Sequence, residues 1–330
     1  MLHVANGDSI AGSLKQSTLP GEKMAFREAL TCGPAPSGLS SSEWLRLRAN
    51  FLGNPYGPSE QDCLQGLTEQ QAVLETRDSR QETVLWFAHD LDCQVHLINV
   101  LNLLGRIRSD RKDVSLICIG EFPGVIPFVC LGQLEPENLE SLFEIRHQVT
   151  PDEFDLAAKA WSAYCSSDPT AVKSLTTIDT NALPFLGEAL RLHLARFPSL
   201  WNGLGLIENW ALEQLSAGQQ KFGPLFARFI EQHPRYGLGD THFWDVLKRI
   251  SDCSHPLIQI SGAPAAGTLE SIAWGPVSLE ITSVGLEVLQ GKKDFIELNG
   301  IDLWLGGVHL TGQNHWRIDT ETDALTHSAA

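Results

Sequence analysis

The chain of 330 residues contains no stretch approaching the ~18–20 consecutive apolar residues of a membrane span, which speaks against a membrane partner. Its first residues, MLHVANGDSIAG, have neither the basic region nor the apolar core of a secretion signal, so a cytoplasmic, unprocessed chain is expected. The cysteines at positions 32, 63, 93, 118, 130, 165 and 253 form no CxxC pair and are odd in number. That argues against a disulfide framework or a zinc–thiolate centre and for a reducing compartment. Basic residues are scarce: 24 Lys and Arg stand against 40 Asp and Glu, a formal net charge of −16. A phosphate backbone is held by clustered cations, so nucleic acid is disfavoured as a partner. Neither GxGxxG, GxxxxGK[ST] nor HExxH occurs, which leaves the dinucleotide, phosphate-loop and zincin fingerprints unmet. No internal repeat or low-complexity tract is visible.

What is present is ordinary globular composition, 43% hydrophobic and 19% charged, long enough for two packed domains. Residues 1–148 alternate short apolar runs with helical stretches. Leu2–Ala5, Thr83–Phe87 and Val114–Ile119 read as strands, and the stretches between them read largely as helices. This is the pattern of βα units on a parallel sheet, and it predicts a Rossmann-like α/β domain. Residues 149–330 change character. Thr150-Pro151-Asp152-Glu153 is a capping box opening a helix to about Tyr164, and further helices follow at about 169–175, 182–196, 204–217, 222–232 and 240–251. Strands are expected again near Leu257–Ile260, Val277–Ile281 and Phe295–Leu298, with a frayed tail from Thr320. Helices followed by a small hairpin predict a mainly helical, winged-helix-like α+β domain.

In an open parallel sheet, ligands bind beyond the carboxyl ends of the strands. That rule selects Asn6-Gly7-Asp8-Ser9, His89 to Gln94, and Gly120-Glu121. Gly7 would let backbone amides near Ser9 approach an anion; the competing reading is an Asx turn with Asp8 or Ser9 capping a helix. His89 with Asp90 or Asp92 offers nitrogen and oxygen ligands to a divalent metal. Cys93, near a helix start, offers a nucleophile with His89 as its base. The plainer alternative makes Asp90 or Asp92 an N-cap and Cys93 a small core residue. Glu121 is a third carboxylate, either a base or ligand or simply a solvated loop residue. Near the end of the chain Trp304 and His309 flank Gly306-Gly307. They face a ligand or the other domain, or else belong to a tight turn with Trp304 in the core.

The stretches HVANGDS (3–9), LWFAHDLDCQ (85–94), LICIGEFPGVIPFVCLGQL (116–134), LPFLGEALRLHLARFPS (183–199) and NGIDLWLGGVHL (299–310) resemble an uncharacterised bacterial family of two successive domains. The resemblance spans nearly the whole chain in family order and implies a bacterial, soluble, two-domain protein, without implying an activity. Asn6, Gly7, Asp8, Ser9, His89, Asp90, Gln94, Gly132, Gln133, Gly306, Gly307 and His309 match its pattern. Cys93 stands where the pattern has an acidic residue, Leu303 where it has Arg, and residues 202–208 are apolar where it is polar. These departures imply either a pocket specialised around Cys93 or the loss of part of an ancestral one.

The inventory favours an enzyme, a hydrolase or group transferase, on a small polar or phosphorylated, nucleotide-like molecule. Its catalytic candidates are His89, Asp90, Cys93 and Glu121. Asn6, Gly7, Asp8, Ser9, Gln94, Gln133, Trp304 and His309 are the substrate-binding candidates, and His89, Asp90 and Asp92 those for a divalent metal. Two alternatives stand beside it: a biosynthetic tailoring enzyme using a metal or Cys93 on an amino-acid-derived substrate, and a ligand-sensing or interaction protein, with self-association open. The region 204–217, expected as the recognition helix of a DNA-binding version, has no Lys or Arg.

Overall fold

The computed structural model describes residues 1–53, 58–76, 81–107, 113–262, 274–312 and 315–327. Strand β1 (Leu2–Asn6) passes into helix α1 (Asp8–Gln16) through Gly7, whose φ of +92° suits glycine and strains other residues. After β2 (Glu22–Phe26), Ser40 and Glu43 form a capping box that starts α2 (Ser41–Leu52), and α3 (Glu60–Thr76) follows. Strand β3 (Thr83–Ala88) is buried along its whole length, as its unbroken apolar run requires. It feeds α4 (Leu91–Ile107), then β4 (Val114–Ile119), α5 (Pro136–Phe143) and the two-residue β5 (His147–Gln148).

These strands form one five-stranded sheet in the order β2-β1-β3-β4-β5. The first four are parallel and β5 is an antiparallel edge. The chain steps from β1 outward to β2, then returns to the other side of β1 to lay down β3. Loops leaving β1 and β3 therefore diverge at their carboxyl ends, and that divergence opens a crevice. At the opposite end His3 is buried with both ring nitrogens bonded: Trp86 Nε1 donates to Nδ1 at 3.0 Å and Nε2 donates to the Pro20 carbonyl at 2.9 Å.

The predicted Thr150–Glu153 capping box opens α6 (Pro151–Tyr164), followed by α7 (Thr170–Leu175), α8 (Leu186–Leu194) and α9 (Leu206–Ser216). Helix α4, buried on nearly every face, packs against α6 and α8. Next come β6 (Gln220–Lys221), α10 (Phe222–Gln232), α11 (Asp240–Ser251), β7 (Ile258–Ser261) and β8 (Ser278–Ile281). The three strands make an antiparallel sheet in the order β6-β8-β7.

After α12 (Ser283–Leu289), the run at 295–298 departs from expectation: it is not a strand but part of helix α13 (Phe295–Asn299). Asp294 caps it, accepting from the backbone N–H groups of Ile296 and Glu297. A short apolar run does not by itself separate strand from helix, and here the cap decides. Strands β9 (Asp302–Leu305) and β10 (Val308–Thr311) form a hairpin whose Gly307 lies against α6; a Cβ there would stand 2.0 Å from the Cys165 carbonyl oxygen. Within the tail expected to fray from Thr320, β12 (Leu325–His327) instead pairs with β11 (Trp316–Ile318), while 328–330 lie outside the described residues. No helix among the described residues is long and apolar enough to cross a membrane.

Candidate functional site

Asn6, the last residue of β1, sits at the centre of a polar network under the crevice. Its Oδ1 accepts from His96 Nδ1 at 2.7 Å and its Nδ2 donates to Cys93 Sγ at 3.0 Å. The Leu30 backbone N–H donates to His96 Nε2 at 3.1 Å. A backbone amide can only donate, so the ring hydrogen facing Asn6 is on Nδ1, and this in turn fixes the orientation of the Asn6 amide. Asp92, one turn before His96 on α4, accepts from Thr31 Oγ1 at 2.9 Å and lies 3.3 Å from His96 Nδ1.

Helix α1 begins at Gly7 without a side-chain cap. Asp8 turns outward to Arg27, which donates from Nε and Nη2 at 2.6–3.0 Å and holds the carboxyl below the usual range. Ser9 Oγ points to the Gly132 carbonyl at 3.4 Å. With neither side chain serving as cap, the first-turn N–H groups of α1 keep their capacity to meet an anion.

His89 and Asp90 occupy a dry position beyond β3. Asp90, 2% exposed, accepts from the Cys93 backbone N–H at 2.9 Å through Oδ1, the N-cap role. Its Oδ2 is buried without a partner, and burial, reinforced by Asp92, pushes its pKa up to about 7. Gly237 closes over it, so near that a Cβ would stand 2.0 Å from Oδ1. The His89 ring stacks on Phe128 at 5.7 Å and meets Phe185 edge-on at 6.0 Å, with Nδ1 unpartnered. Burial, then the charge of Arg235, lowers its pKa against the pull of Glu188.

Cys93 departs from the reading that made it a nucleophile. The residue is 3% exposed, and burial, then the charges of Asp90 and Asp92, hold the thiol well above its ordinary value. It packs in the core as a thiol rather than presenting a thiolate. Gln94 is likewise inward: Nε2 donates to the Ala88 carbonyl at 2.7 Å and ties α4 to β3. Gln133 serves its own loop, accepting from Val129 and Cys130 backbone N–H groups at 2.6 and 3.1 Å. Glu121 is exposed in the turn after β4. Trp304 stacks on His309 at 4.2 Å, and His309 Nε2 bonds Asp302 at 2.7 Å, contacts internal to the β9–β10 hairpin.

The expected metal ligands have separate surroundings. His89 faces two phenyl rings, Asp90 the start of α4, and Asp92 Thr31 and His96. Among the described residues no group of three or more His, Cys, Asp or Glu is arranged to hold a metal ion.

Open space lies on the β2 side of the crevice. A cleft of about 1170 Å³ runs between β2 and α3, and Asn6, Gly7, Asp8, Arg27, Asp92 and Thr241 are among its lining residues. His89, Asp90, Cys93 and Gln94 are not. Sequence reasoning passed over His96, Thr31 and Arg27. The i, i+4 spacing of Asp92 and His96 on a predicted helix was a usable signal; Thr31 and Arg27 reach the site only through the tertiary fold. No protein-family model matches the chain, and a search of curated proteins finds no match.

Proposed function

We propose that the chain is an enzyme that performs acid–base chemistry, hydrolysis or group transfer, on a small polar or phosphorylated molecule bound in the β2–α3 cleft. The observation that carries this reading is convergence: Asn6, Gly7 and Asp8 from one strand end and Asp92 from another line the same cleft. An anionic group of the substrate meets the uncapped amides of α1. Asp92 is the proton carrier, oriented by Thr31 and His96, while the Leu30 backbone N–H fixes the His96 tautomer and Asn6 accepts from its other ring nitrogen. His89 and Asp90 lie outside the cleft and support its floor rather than touching substrate.

The strand order β2-β1-β3-β4 supports a Rossmann-like reading of residues 1–148. The succession α9-β6-α10-α11-β7-β8 with strand order β6-β8-β7 supports a winged-helix-like reading within residues 149–330. On that reading α11, not residues 204–217, holds the recognition position. Its Arg249 is paired with Glu208, its Asp240 accepts from Trp274, and its Thr241 lines the cleft. Such a helix fits the wall of a small-molecule site better than a reader of duplex DNA.

The test is a turnover screen of phosphorylated and polar metabolites with wild type, Asp92→Asn and Cys93→Ser. Asp92→Asn is expected to bind substrate yet lose about 10²–10⁴ in rate, and Cys93→Ser to keep it. Full turnover by Asp92→Asn overturns the assignment; binding without turnover in the wild type makes the chain a sensor.

A further inference from the structure

Among the described residues, buried and half-buried arginines have hydrogen-bond partners: Arg48 with Glu28, Arg249 with Glu208, Arg317 with Asp294, Arg146 with Glu82 and Arg228 with Gln214. Arg196, just past the end of α8, does not. Its Nη1 is buried without a hydrogen-bond partner, although the residue as a whole reaches the surface. Leaving a guanidinium N–H dry and unpaired is costly, more so than for a neutral donor.

The surroundings are unusual in the same way. His193, one turn earlier and 1% exposed, has an unpartnered buried Nδ1. Tyr236, 3% exposed, has an unpartnered buried hydroxyl. The His193 ring lies 4.7 Å from that of Tyr164, whose own hydroxyl is spent on the Leu30 carbonyl at 2.8 Å. The turn Pro234–Tyr236 packs against α8, the helix of His193, and the Arg196 backbone N–H donates to the His193 carbonyl at 3.2 Å, so the three residues share one neighbourhood; the charge of Arg196 is felt at His193 and Tyr236. The acid of the neighbourhood, Glu208, is engaged by Arg249 and does not serve Arg196. Burial, then Arg196, lowers the His193 pKa to about 3, so the imidazole is neutral and offers a single N–H without adding charge.

We propose that Arg196, His193 and Tyr236 form a binding site for a phosphate-type oxyanion. The inventory is one fixed cation, a planar fork of N–H donors, a phenol O–H and an imidazole N–H. A carboxylate is already satisfied by the fork alone, whereas a tetrahedral oxyanion has further oxygens for the other two donors. The site is separate from the cleft proposed above and stands whether or not Asp92 is catalytic.

The experiment is thermal unfolding and calorimetric titration of the full chain with inorganic phosphate, against chloride at matched ionic strength and malonate as the carboxylate probe. Phosphate is expected to give a saturable rise in Tm that chloride and malonate do not reproduce. Arg196→Gln should abolish it, and Tyr236→Phe, which removes only the hydroxyl, should weaken phosphate binding by about tenfold. If Arg196→Gln does not fold, the Tyr236→Phe titration decides alone. No phosphate-specific shift in the wild type, a larger response to malonate, or unchanged affinity in Tyr236→Phe each overturns the proposal.

Discussion

The two ends of the parallel sheet use buried polar groups in opposite ways. At the amino end His3 is bonded through both ring nitrogens, and Glu82 receives Ser115 Oγ at 2.6 Å and Arg146 Nε at 2.9 Å. Thr83 Oγ1 is without a partner there. At the carboxyl end the equally buried His89 and Asp90 each keep an ionisable group's atom without a partner. An unmade buried hydrogen bond costs roughly 1–3 kcal/mol, more for a charged group, so His89 Nδ1 and Asp90 Oδ2 are held in place by the rest of the fold rather than by polar contacts of their own. The same strands thus end in a sealed network on one side and in underused polar groups beside a cleft on the other. The crevice rule for parallel sheets anticipates this asymmetry.

The sharpest way to break the comparison is Asp90→Asn. The folded-state pKa of Asp90, about 7, lies above its unfolded value. The folded chain therefore holds a proton that the unfolded chain releases, and stability falls as pH rises from about 4 through 7. Asn keeps the oxygen that caps α4 and removes the ionisation. The variant should be more stable than wild type at pH 8 by up to about 4 kcal/mol, the upper bound set by a three-unit shift, and nearly equal at pH 4. A denaturant midpoint that moves equally at both pH values contradicts the burial argument.

At the sealed end the expectation reverses. His3→Ala strips the acceptor from Trp86 Nε1 and opens a cavity, a loss of about 2–4 kcal/mol, with ligand binding at the cleft unchanged. Burial lowers the His3 pKa, so its contribution is complete above the unfolded value and is lost as pH falls below it. The wild-type advantage over His3→Gln should accordingly shrink on acidification from pH 7.5, measured by chemical denaturation. A gap that widens would mean the ring is charged in the fold.

Much of the architecture was legible because its determinants are local. The Thr150–Glu153 box and the unbroken run Thr83–Phe87 each carry their own signal within a few residues. Phe295–Leu298 misled because the cap that makes it helical, Asp294, is also the partner of Arg317 from a distant strand. The site was legible in part. Of the residues picked out at the strand ends, Asn6, Gly7, Asp8 and Asp92 line one cleft, whereas His89, Asp90, Cys93 and Gln94 do not. Gln94 and Gln133 looked ligand-facing because a polar residue beside a strand end gives no sign that it will satisfy a nearby carbonyl or amide instead. Arg196 was invisible for a deeper reason: its distinction is the lack of a partner, and no local pattern encodes which of several carboxylates will be taken by other arginines.

The smallest expected effect sharpens the comparison most at the cleft itself. Asp8 and Arg27 are 67% and 70% exposed at the side chain, so their ion pair, although bidentate, contributes no more than about 0.5 kcal/mol. Asp8→Asn should leave the unfolding midpoint almost unchanged. It nevertheless releases a guanidinium at the cleft rim and removes a negative charge beside the amides of α1. Affinity for an anionic ligand should rise severalfold, with a steeper dependence on salt because the gain is electrostatic and exposed. Lower affinity would instead assign the Asp8 carboxylate a direct contact with the ligand, and the outward turn toward Arg27 would then be the resting arrangement that the ligand displaces.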